Sequence, residues 1–356
     1  MGLRLKMARS RIGLDIGATS VRAAEIRLNP PTLARVAQVR IPDGAVENGE
    51  VKDPDAVTAA LVELWKVGRF TNRQVHLGMG NQRVVVREIN LPWLSDKELR
   101  ESLPFQVQEF VPIPIDDAVL DYHIIEELEQ DGRRMVRLLL VAAQKSVVAG
   151  IVQAVEAAKL VPAGLDIVPF ALVRSIGTVD GLGLADDKGT EEAVLDIGSD
   201  ITSICVHTHG LPRFVRMMAS GGHDITEAIT RAVAVSPDEA ERLKRGESSE
   251  GGDIRKQAEE IVAARLSSFV DDVRSSLDFY GAQANGGQIA RLVVTGGGSK
   301  LAGLMEMLIE QLPFEVAAGR AFQRVTPELD LVPEAMAAAE PLLAVAVGLA
   351  IPGDAA

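Results

Sequence analysis

Apolar and polar positions along this chain follow two periods, and each period predicts one type of element. Short apolar runs such as 12–16 and 291–294 predict buried strands. Apolar residues three or four positions apart, as in 57–67 and over the long stretch 254–280, predict amphipathic helices. Because strands and helices are predicted to follow one another in both halves of the chain, the pattern indicates an α/β fold.

The middle of the chain, residues 82–165, has its own order of strand, helix, hairpin and helix. Ser95 and Glu98 form a capping box that starts the first of these helices. Pro104 is predicted to kink or split that helix, because proline removes a backbone donor and crowds the preceding turn. This region is therefore predicted to be an inserted α+β subdomain.

One four-residue pattern occurs twice. Leu14-Asp15-Ile16-Gly17 and Leu195-Asp196-Ile197-Gly198 lie 181 positions apart, and each opens a strand-rich segment. Each copy predicts a strand, a tight turn and a second strand. An ordinary turn is the alternative for either copy alone, but two matching copies indicate two related half-domains that face one nucleotide.

The chemistry of the first turn suits a phosphate chain. Gly17 permits a backbone conformation that a side chain would resist, and Thr19 and Ser20 add hydroxyl donors. Asp15 can approach a polyphosphate only through a cation or ordered water, and Mg²⁺ commonly keeps waters between a carboxylate and a phosphate. The second copy is followed by similar residues, Ser199, Thr202 and Ser203.

Three further stretches are candidates for nucleotide contact. The run 295–300, Thr-Gly-Gly-Gly-Ser-Lys, removes side chains where a base or ribose could lie against backbone, although a flexible strand-helix connection is the alternative. The glycines of 220–222 precede a helix and could bring amides near a ligand. Glu241 and Lys244 lie three apart on another helix, where a solvated ion pair is the simplest interpretation from the sequence alone.

Composition and charge narrow the function classes. The net charge of -13 excludes generic binding to nucleic acid. The single cysteine, Cys205, excludes an intrachain disulfide framework and fits a reducing compartment. No apolar run approaches the ~20 residues needed to cross a bilayer, so membrane contact is expected through a partner. A basic arm at 1–11 is more simply a frayed tail.

These motifs together resemble the superfamily of actin, sugar-kinase and heat-shock-chaperone ATPases. Within it, the chain is most similar to the PilM family, the cytoplasmic actin-like proteins of type IV pilus assembly, and the similarity covers nearly the whole chain. The residues that carry it are 14–18 with Arg22, 112–116 running to 120–122, 142–143, 165–166 and 295–301. The family usually has lysine in place of Arg22, and an uninterrupted helix where this chain has Pro104.

The resemblance implies an actin-like (ribonuclease-H-like), duplicated ATPase fold with an inserted α+β subdomain in its first half. The first domain would comprise 10–81 and 166–185, and the insertion 82–165. The second domain would comprise 190–356, with 223–285 as its helical subdomain.

The resemblance also implies roles for individual residues around ATP or ADP with Mg²⁺. Asp15 and Asp196 would hold the metal through water. The first phosphate loop would be Gly17, Ala18, Thr19, Ser20 and Arg22, and the second Gly198, Ser199 and Thr202, with Gly222 nearby. The adenosine side would be formed by Glu241, Lys244, Gly296, Gly297, Gly298 and Ser299.

The function implied by this resemblance is that of a scaffold at the inner face of the cytoplasmic membrane, with at most weak ATPase activity. It would bind the cytoplasmic tail of a PilN-like membrane protein between the insertion and the first domain. Other pilus platform proteins, and the assembly ATPase as a further candidate, would be additional partners. The alternatives are a membrane-associated cytoskeletal ATPase like the division protein FtsA, or a small-molecule kinase, for which no convincing aspartate base is present.

Overall fold

Two mixed β-sheets form the two halves of the molecule in this computed structural model, which describes residues 10–178, 190–248, 251–282 and 287–353. The elements of the first half are β1 (Ser10–Ile16), β2 (Ser20–Leu28), β3 (Pro31–Arg40), β4 (Val46–Glu47), β5 (Glu50–Val51), α1 (Pro54–Val67), β6 (Gln74–Met79), β7 (Val85–Pro92), α2 (Asp96–Gln106), β8 (Ala118–Gln130), β9 (Arg133–Gln144), α3 (Lys145–Ala157), β10 (Val161–Ile167) and α4 (Val168–Ile176). The elements of the second half are β11 (Thr190–Ile197), β12 (Thr202–Thr208), β13 (Leu211–Met218), α5 (Gly222–Val233), α6 (Pro237–Lys244), α7 (Asp253–Gly281), β14 (Gln288–Thr295), α8 (Leu304–Gln311), β15 (Glu315–Ala318), β16 (Thr326–Pro327) and α9 (Pro333–Ala350).

The two sheets share one topology. The first has the order β10-β6-β1-β2-β3-β16 and the second β13-β12-β11-β14-β15. In each, the strand that carries the acidic turn has an antiparallel neighbour after the turn and a parallel neighbour on its other side. The predicted duplicated α/β fold is therefore confirmed, with β16 as an addition to the edge of the first sheet.

Helices α4 and α9 pack between the two sheets and join them in one core. The contact is close because glycines lie where the backbones meet. A Cβ atom on Gly348 of α9 would lie 1.8 Å from the carbonyl oxygen of Ala171, and one on Gly13 of β1 would lie 2.0 Å from that of Ala346. This packing holds the ends of β1 and β11 on the same side of the molecule.

Helix α9 begins earlier than the sequence predicts. The apolar, Ala-rich run 341–349 predicts a closing helix of that length, but the helix starts at Pro333, with proline in its first turn, and runs through Pro341. By length and composition alone it would be apolar enough to cross a membrane, which corrects the expectation of no such run, but 44% of it is buried inside the protein. The buried residues are the consecutive ones 343–350, which pack in the core between the two sheets.

A three-stranded sheet, β7-β9-β8, projects from the first half and is covered on one face by α2. The capping box is confirmed, since the Ser95 amide donates to Glu98 Oε2 at 3.0 Å and the Glu98 amide donates to Ser95 Oγ at 3.4 Å. The predicted split at Pro104 is wrong, because α2 continues to Gln106. Only two residues follow the proline, so little helical bonding is lost there.

The hairpin β8–β9 is confirmed, with Asp131 and Gly132 both at positive φ in its turn. Helix α3 packs with its apolar side into the core of the first half, through Val147 and Ile151 among others. The limits 82–165 for the insertion stay a prediction; below, "the insertion" means residues 85–144. Residues 1–9 of the predicted basic arm 1–11 lie outside the described residues, as do residues 179–189 of the stretch 177–189, whose glycines and aspartates predict a linker.

Candidate functional site

The two acidic turns have the same backbone geometry. The amide of Gly17 donates to the carbonyl of Ser20 at 3.0 Å, and the amide of Gly198 donates to the carbonyl of Ile201 at 3.0 Å. Each hydrogen bond closes the turn that connects the acidic strand to its antiparallel neighbour. The repeated sequence pattern therefore corresponds to a repeated structure.

The carboxylates of the two turns lie close enough for the charge of one to act on the other. The pKa of Asp196 is raised to about 7, chiefly by burial and also by the nearby Asp15 carboxylate, while Arg22 opposes the rise. Burial also raises the pKa of Asp15, against the effect of Arg22, whose Nη1 lies 3.2 Å from Asp15 Oδ2. Two acids that oppose each other's ionisation in this way form a site that a cation would stabilise.

The cleft fits a hydrated cation better than a cation held by the protein alone. Within the described part of the chain, no group of three or more His, Cys, Asp or Glu residues could hold a metal ion. Mg²⁺ bound with phosphates typically uses one or two carboxylates and keeps several waters. Asp15 and Asp196 supply that number. Arg22 Nε is buried without a hydrogen-bond partner among the described residues, so it remains available as a donor.

The side chains of the first turn point in different directions. Thr19 is exposed at the tip of the turn beside Ala18. Ser20 is buried, and its hydroxyl accepts a hydrogen bond from Gln38 Nε2 at 3.3 Å. The turn therefore offers its backbone and Thr19 to the cleft, while the Ser20 hydroxyl faces the sheet.

The second turn is bonded to the start of α5. The amide of Gly222 donates to the carbonyl of Gly198 at 3.0 Å, and that of His223 donates to the carbonyl of Ser199 at 2.9 Å. The buried Thr202 hydroxyl donates to the carbonyl of Ser220 at 2.7 Å. The donors of Gly222 and Thr202 are thus engaged within the protein, and these residues shape the turn.

The glycine turn packs directly against the second acidic turn. Gly296 has φ +87°, and a Cβ atom there would lie 2.5 Å from Asp196 Oδ1. A Cβ atom on Gly298 would lie 2.3 Å from a side-chain carbon of Ile197. Gly297 continues the turn, and Ser299 Oγ donates to the carbonyl of Gly296 at 2.7 Å. Glycine is required at Gly296 both by its conformation and by this approach.

Glu241 and Lys244 form a largely buried ion pair beside the start of α5. Lys244 Nζ lies 2.5 Å from Glu241 Oε2, and donates to the carbonyl of Gly222 and to Thr226 Oγ1, each at 2.9 Å. Burial raises the pKa of Glu241, but hydrogen bonds from Lys244 and Thr226 outweigh it and lower that pKa. Burial lowers the pKa of Lys244. The simple interpretation as a solvated pair is therefore wrong.

Two cations near the cleft were not among the predicted site residues. Burial lowers the pKa of Lys300, and the charges of Arg245 and Arg22 lower it further, so the three cations share one region. Lys300 Nζ also donates to the carbonyl of Ala338 in α9. Arg245 pairs with Glu241 at 2.7 Å. The sequence feature that could have identified Lys300 as a site residue is its position just after the glycine run 296–298.

Comparison with known proteins identifies the relatives of this architecture. A family model described as type IV pilus assembly protein PilM matches residues 13–353. The solved structure of a PilM-PilN type IV pilus biogenesis complex is 30% identical, covers 96% of this chain and 98% of that one, and has a TM-score of 0.84. The ethanolamine utilization protein EutJ from Carboxydothermus hydrogenoformans is 17% identical, covers 97% and 90%, and has a TM-score of 0.57.

A curated relative adds to these structures. The cell division protein FtsA of Bacillus subtilis (strain 168) is 23% identical, with 83% of this chain and 75% of the relative covered. The predicted actin-like fold is confirmed by this set of neighbours.

Proposed function

This chain belongs to the PilM family of type IV pilus assembly proteins, and from that premise we propose that it is a nucleotide-binding scaffold of the pilus assembly platform. The observation that carries the nucleotide part is the pair of matched turns, whose carboxylates Asp15 and Asp196 lie close enough to interact electrostatically. Fold kinship alone does not define a ligand. The nucleotide is supported by the two neighbouring acids, by the three cations Arg22, Arg245 and Lys300, and by the glycine turn at 296–298.

The ligand proposed for the cleft is ATP or ADP with Mg²⁺. Asp15 and Asp196 would hold the metal through water, which supplies charge neutralisation between carboxylates and phosphates. The backbone of 17–20 and of 198–199, with Arg22, would bind the phosphates. The Glu241–Lys244 pair and the turn 296–299 would border the adenosine, and Gly222 would lie beside the second phosphate loop.

Binding rather than turnover is the proposed activity. Phosphoryl transfer to water requires an oriented water and a side chain that orients it. Neither role is assigned to a residue here, so ATPase activity is expected to be weak at most. Binding without phosphoryl transfer distinguishes the proposed scaffold from a small-molecule kinase, which needs a base beside an acceptor hydroxyl.

The proposed partner is a short cytoplasmic tail of a PilN-like inner-membrane protein, bound against the insertion. The related solved structure is a PilM-PilN complex, which supports this assignment. The tail would hold the protein at the inner face of the cytoplasmic membrane, where other platform proteins and the assembly ATPase are further proposed partners. Phe105 of α2, with 82% of its surface exposed, is the most exposed large apolar side chain of the described residues and a candidate contact.

Calorimetric titration of the nucleotide-free protein with Mg-ATP tests the nucleotide assignment. Binding with a stoichiometry near one is expected, and a folded protein that gives neither heat nor a thermal shift at millimolar Mg-ATP would contradict it. A parallel titration with a chelator of Mg²⁺ should show weaker binding of ATP, because the two carboxylates would then face the phosphates without a cation.

Capture of the full-length protein on an immobilised tail peptide tests the partner assignment. Micromolar affinity is expected, on the order of -8 kcal/mol, because the peptide loses chain entropy on binding. Phe105→Ala should weaken capture about tenfold. Ile309→Ala is the control, since Ile309 is another exposed large apolar residue, 58% exposed, on α8 of the second half. Equal capture of both variants would exclude the surface around Phe105.

A cytoskeletal ATPase remains the second candidate, supported by the similarity to FtsA. Sedimentation of the protein with Mg-ATP separates the two proposals. A scaffold should stay in the supernatant at micromolar concentration, whereas a cytoskeletal protein should pellet as polymer.

A further inference from the structure

The short hairpin β4–β5 lies between the cleft and the insertion. Asn48 (φ +51°) and Gly49 (φ +76°) form its two-residue turn, and left-handed conformations at both positions make this turn tight. A Cβ atom on Gly49 would lie 1.9 Å from the carbonyl oxygen of Gly80, so the two backbones are in direct contact. Gly80 ends the stretch from which the chain enters the insertion.

The tip of this hairpin contacts the other half of the molecule. The amide of Asn48 donates to Asp200 Oδ2 at 3.3 Å. Asp200 lies inside the second acidic turn, between Gly198 and Thr202, where phosphates are proposed to bind. A change in this turn would therefore reach the hairpin directly.

The side of the hairpin contacts the root of the insertion. Asn81, which is 1% exposed, donates from Nδ2 to the carbonyl of Asn48 at 2.7 Å. Its Oδ1 accepts the amide of Arg83 at 2.8 Å. Arg83 Nη1 lies 2.8 Å from Glu50 Oε1 and donates to Gln144 Oε1, at the end of β9, at 3.2 Å. The hairpin thus contacts the residues that lead into β7, and Arg83 connects it to the end of β9.

We propose that the hairpin 46–51 couples occupancy of the cleft to the position of the insertion. A phosphate held by the second acidic turn fixes Asp200, which holds the hairpin, and the hairpin in turn orders the insertion root. Mg-ATP would then strengthen binding of the partner's tail, and the tail would strengthen binding of Mg-ATP by the same factor. This inference rests on the proposed function, because both ligands are assigned there.

Hydrogen exchange of the full-length protein, with and without saturating Mg-ATP, tests the coupling without the partner. In the wild type, Mg-ATP should slow amide exchange over 81–92 by about fivefold, at the lower end of typical coupling. Asp200→Ala should remove this protection of 81–92. Asp200→Asn is the matched control that keeps an acceptor oxygen, and it should retain most of the protection. Equal protection in the wild type and Asp200→Ala would overturn the proposal.

Calorimetry on the same samples separates this proposal from the proposed function. If the wild type does not bind Mg-ATP, both fail. If it binds but the exchange over 81–92 is unchanged, only the coupling fails. Arg83→Gln removes the ion pair between the hairpin and the root of the insertion. Mg-ATP should then no longer slow amide exchange at the start of the insertion, but it should still slow exchange over 196–203. Full protection of 84–92 in Arg83→Gln would overturn the route through the hairpin.

Discussion

The two acidic turns share a sequence pattern and a hydrogen bond, but they differ in how firmly the protein holds them. In the first turn, Asp15 is opposite Arg22 in the strand pairing and is paired with it. In the second, Asp196 is opposite Ser203 and forms no ion pair with any of the described residues, although the charge of Arg22 reaches it. The first carboxylate is therefore partly neutralised within the protein, and the second depends on a cation from outside.

The two turns also differ in their contacts with neighbouring elements. The second turn is bonded to α5 through two carbonyls, contacted by the glycine turn and reached by the hairpin tip at Asp200. Among the described residues, the first turn accepts one main-chain hydrogen bond from the following loop, from the amide of Ile41 to the carbonyl of Thr19 at 3.1 Å. The same motif thus forms a turn with several contacts to other elements in the second half, and a turn with fewer such contacts in the first half.

The largest expected difference between the turns concerns stability, and the matched substitutions are Gly198→Ala and Gly17→Ala. A Cβ atom on Gly198 would lie 2.7 Å from the carbonyl oxygen of Ile201, whereas one on Gly17 would lie 3.3 Å from that of Ser20. Gly198→Ala should lower the free energy of unfolding by about 2–3 kcal/mol and Gly17→Ala by less than about 1 kcal/mol. Urea unfolding of the nucleotide-free variants measures both, and equal losses would show that the turns are held alike.

The next effect concerns the metal. Asp196→Ala should weaken Mg-ATP binding about tenfold more than binding of metal-free ATP, a difference of about 1.4 kcal/mol, because the carboxylate acts through the cation. Asp15→Ala, which also frees Arg22, should tighten binding of metal-free ATP. Parallel titrations with Mg²⁺ and with a chelator measure these differences. Equal losses in both titrations of Asp196→Ala would assign that residue to the fold alone.

Much of this fold follows from local patterns in the sequence. The apolar periods predict the strands around both turns, and cap residues predict the starts of α1, α2 and α6, where Asp53, Ser95 and Ser236 accept backbone hydrogen bonds. These signals work because period and capping depend on residues close together in the chain. The duplicated turn adds long-range information, since two copies of one motif imply two equivalent sheets.

The features that the sequence did not reveal depend on tertiary contacts. Strands β4 and β5 have two residues each, too few for a period, although the Asn48-Gly49 turn between Val46 and Val51 was a usable signal. The early start of α9 and the packing of α3 depend on neighbours far away in the chain. The engagement of the Thr202 hydroxyl by Ser220 could not be predicted, because a hydroxyl next to a phosphate turn has the same sequence signature whichever way it points.

The dependence of stability on pH should also distinguish the carboxylates. The pKa of Asp196 is about 7 in the folded protein, against the ordinary 3.8. The folded state therefore holds a proton that the unfolded state has lost, so nucleotide-free stability should fall as pH rises from about 4 to about 7. Asp196→Asn should flatten this fall. Relative to the wild type, the variant should gain more free energy of unfolding at pH 8 than at pH 5, by on the order of 1 kcal/mol after allowance for solvent screening.

Asp15→Asn is the comparison for that measurement, made by thermal unfolding at a series of pH values. Arg22 opposes the rise in the pKa of Asp15, so this substitution should flatten the curve less and also leave Arg22 unpaired. A steeper fall with pH in Asp196→Asn than in the wild type would show that the Asp196 carboxylate is stabilised in its ionised form.

The smallest expected effect belongs to Arg22→Lys, which replaces the residue of the first turn by the one usual in the family. Arg22 Nη1 lies 3.2 Å from Asp15 Oδ2, and its Nε is buried without a partner among the described residues. Lysine keeps the charge but loses the planar fork of donors. With Mg²⁺ between the carboxylates and phosphates, Arg22 mainly supplies charge, so calorimetry should give a Mg-ATP affinity within about threefold of the wild type, less than 1 kcal/mol. Arg35→Lys, in a pair with Glu25 on the same sheet, is the control. A loss above about tenfold in Arg22→Lys alone would mean that Arg22 binds phosphate through two donors, and the first turn would then hold its ligand as firmly as the second.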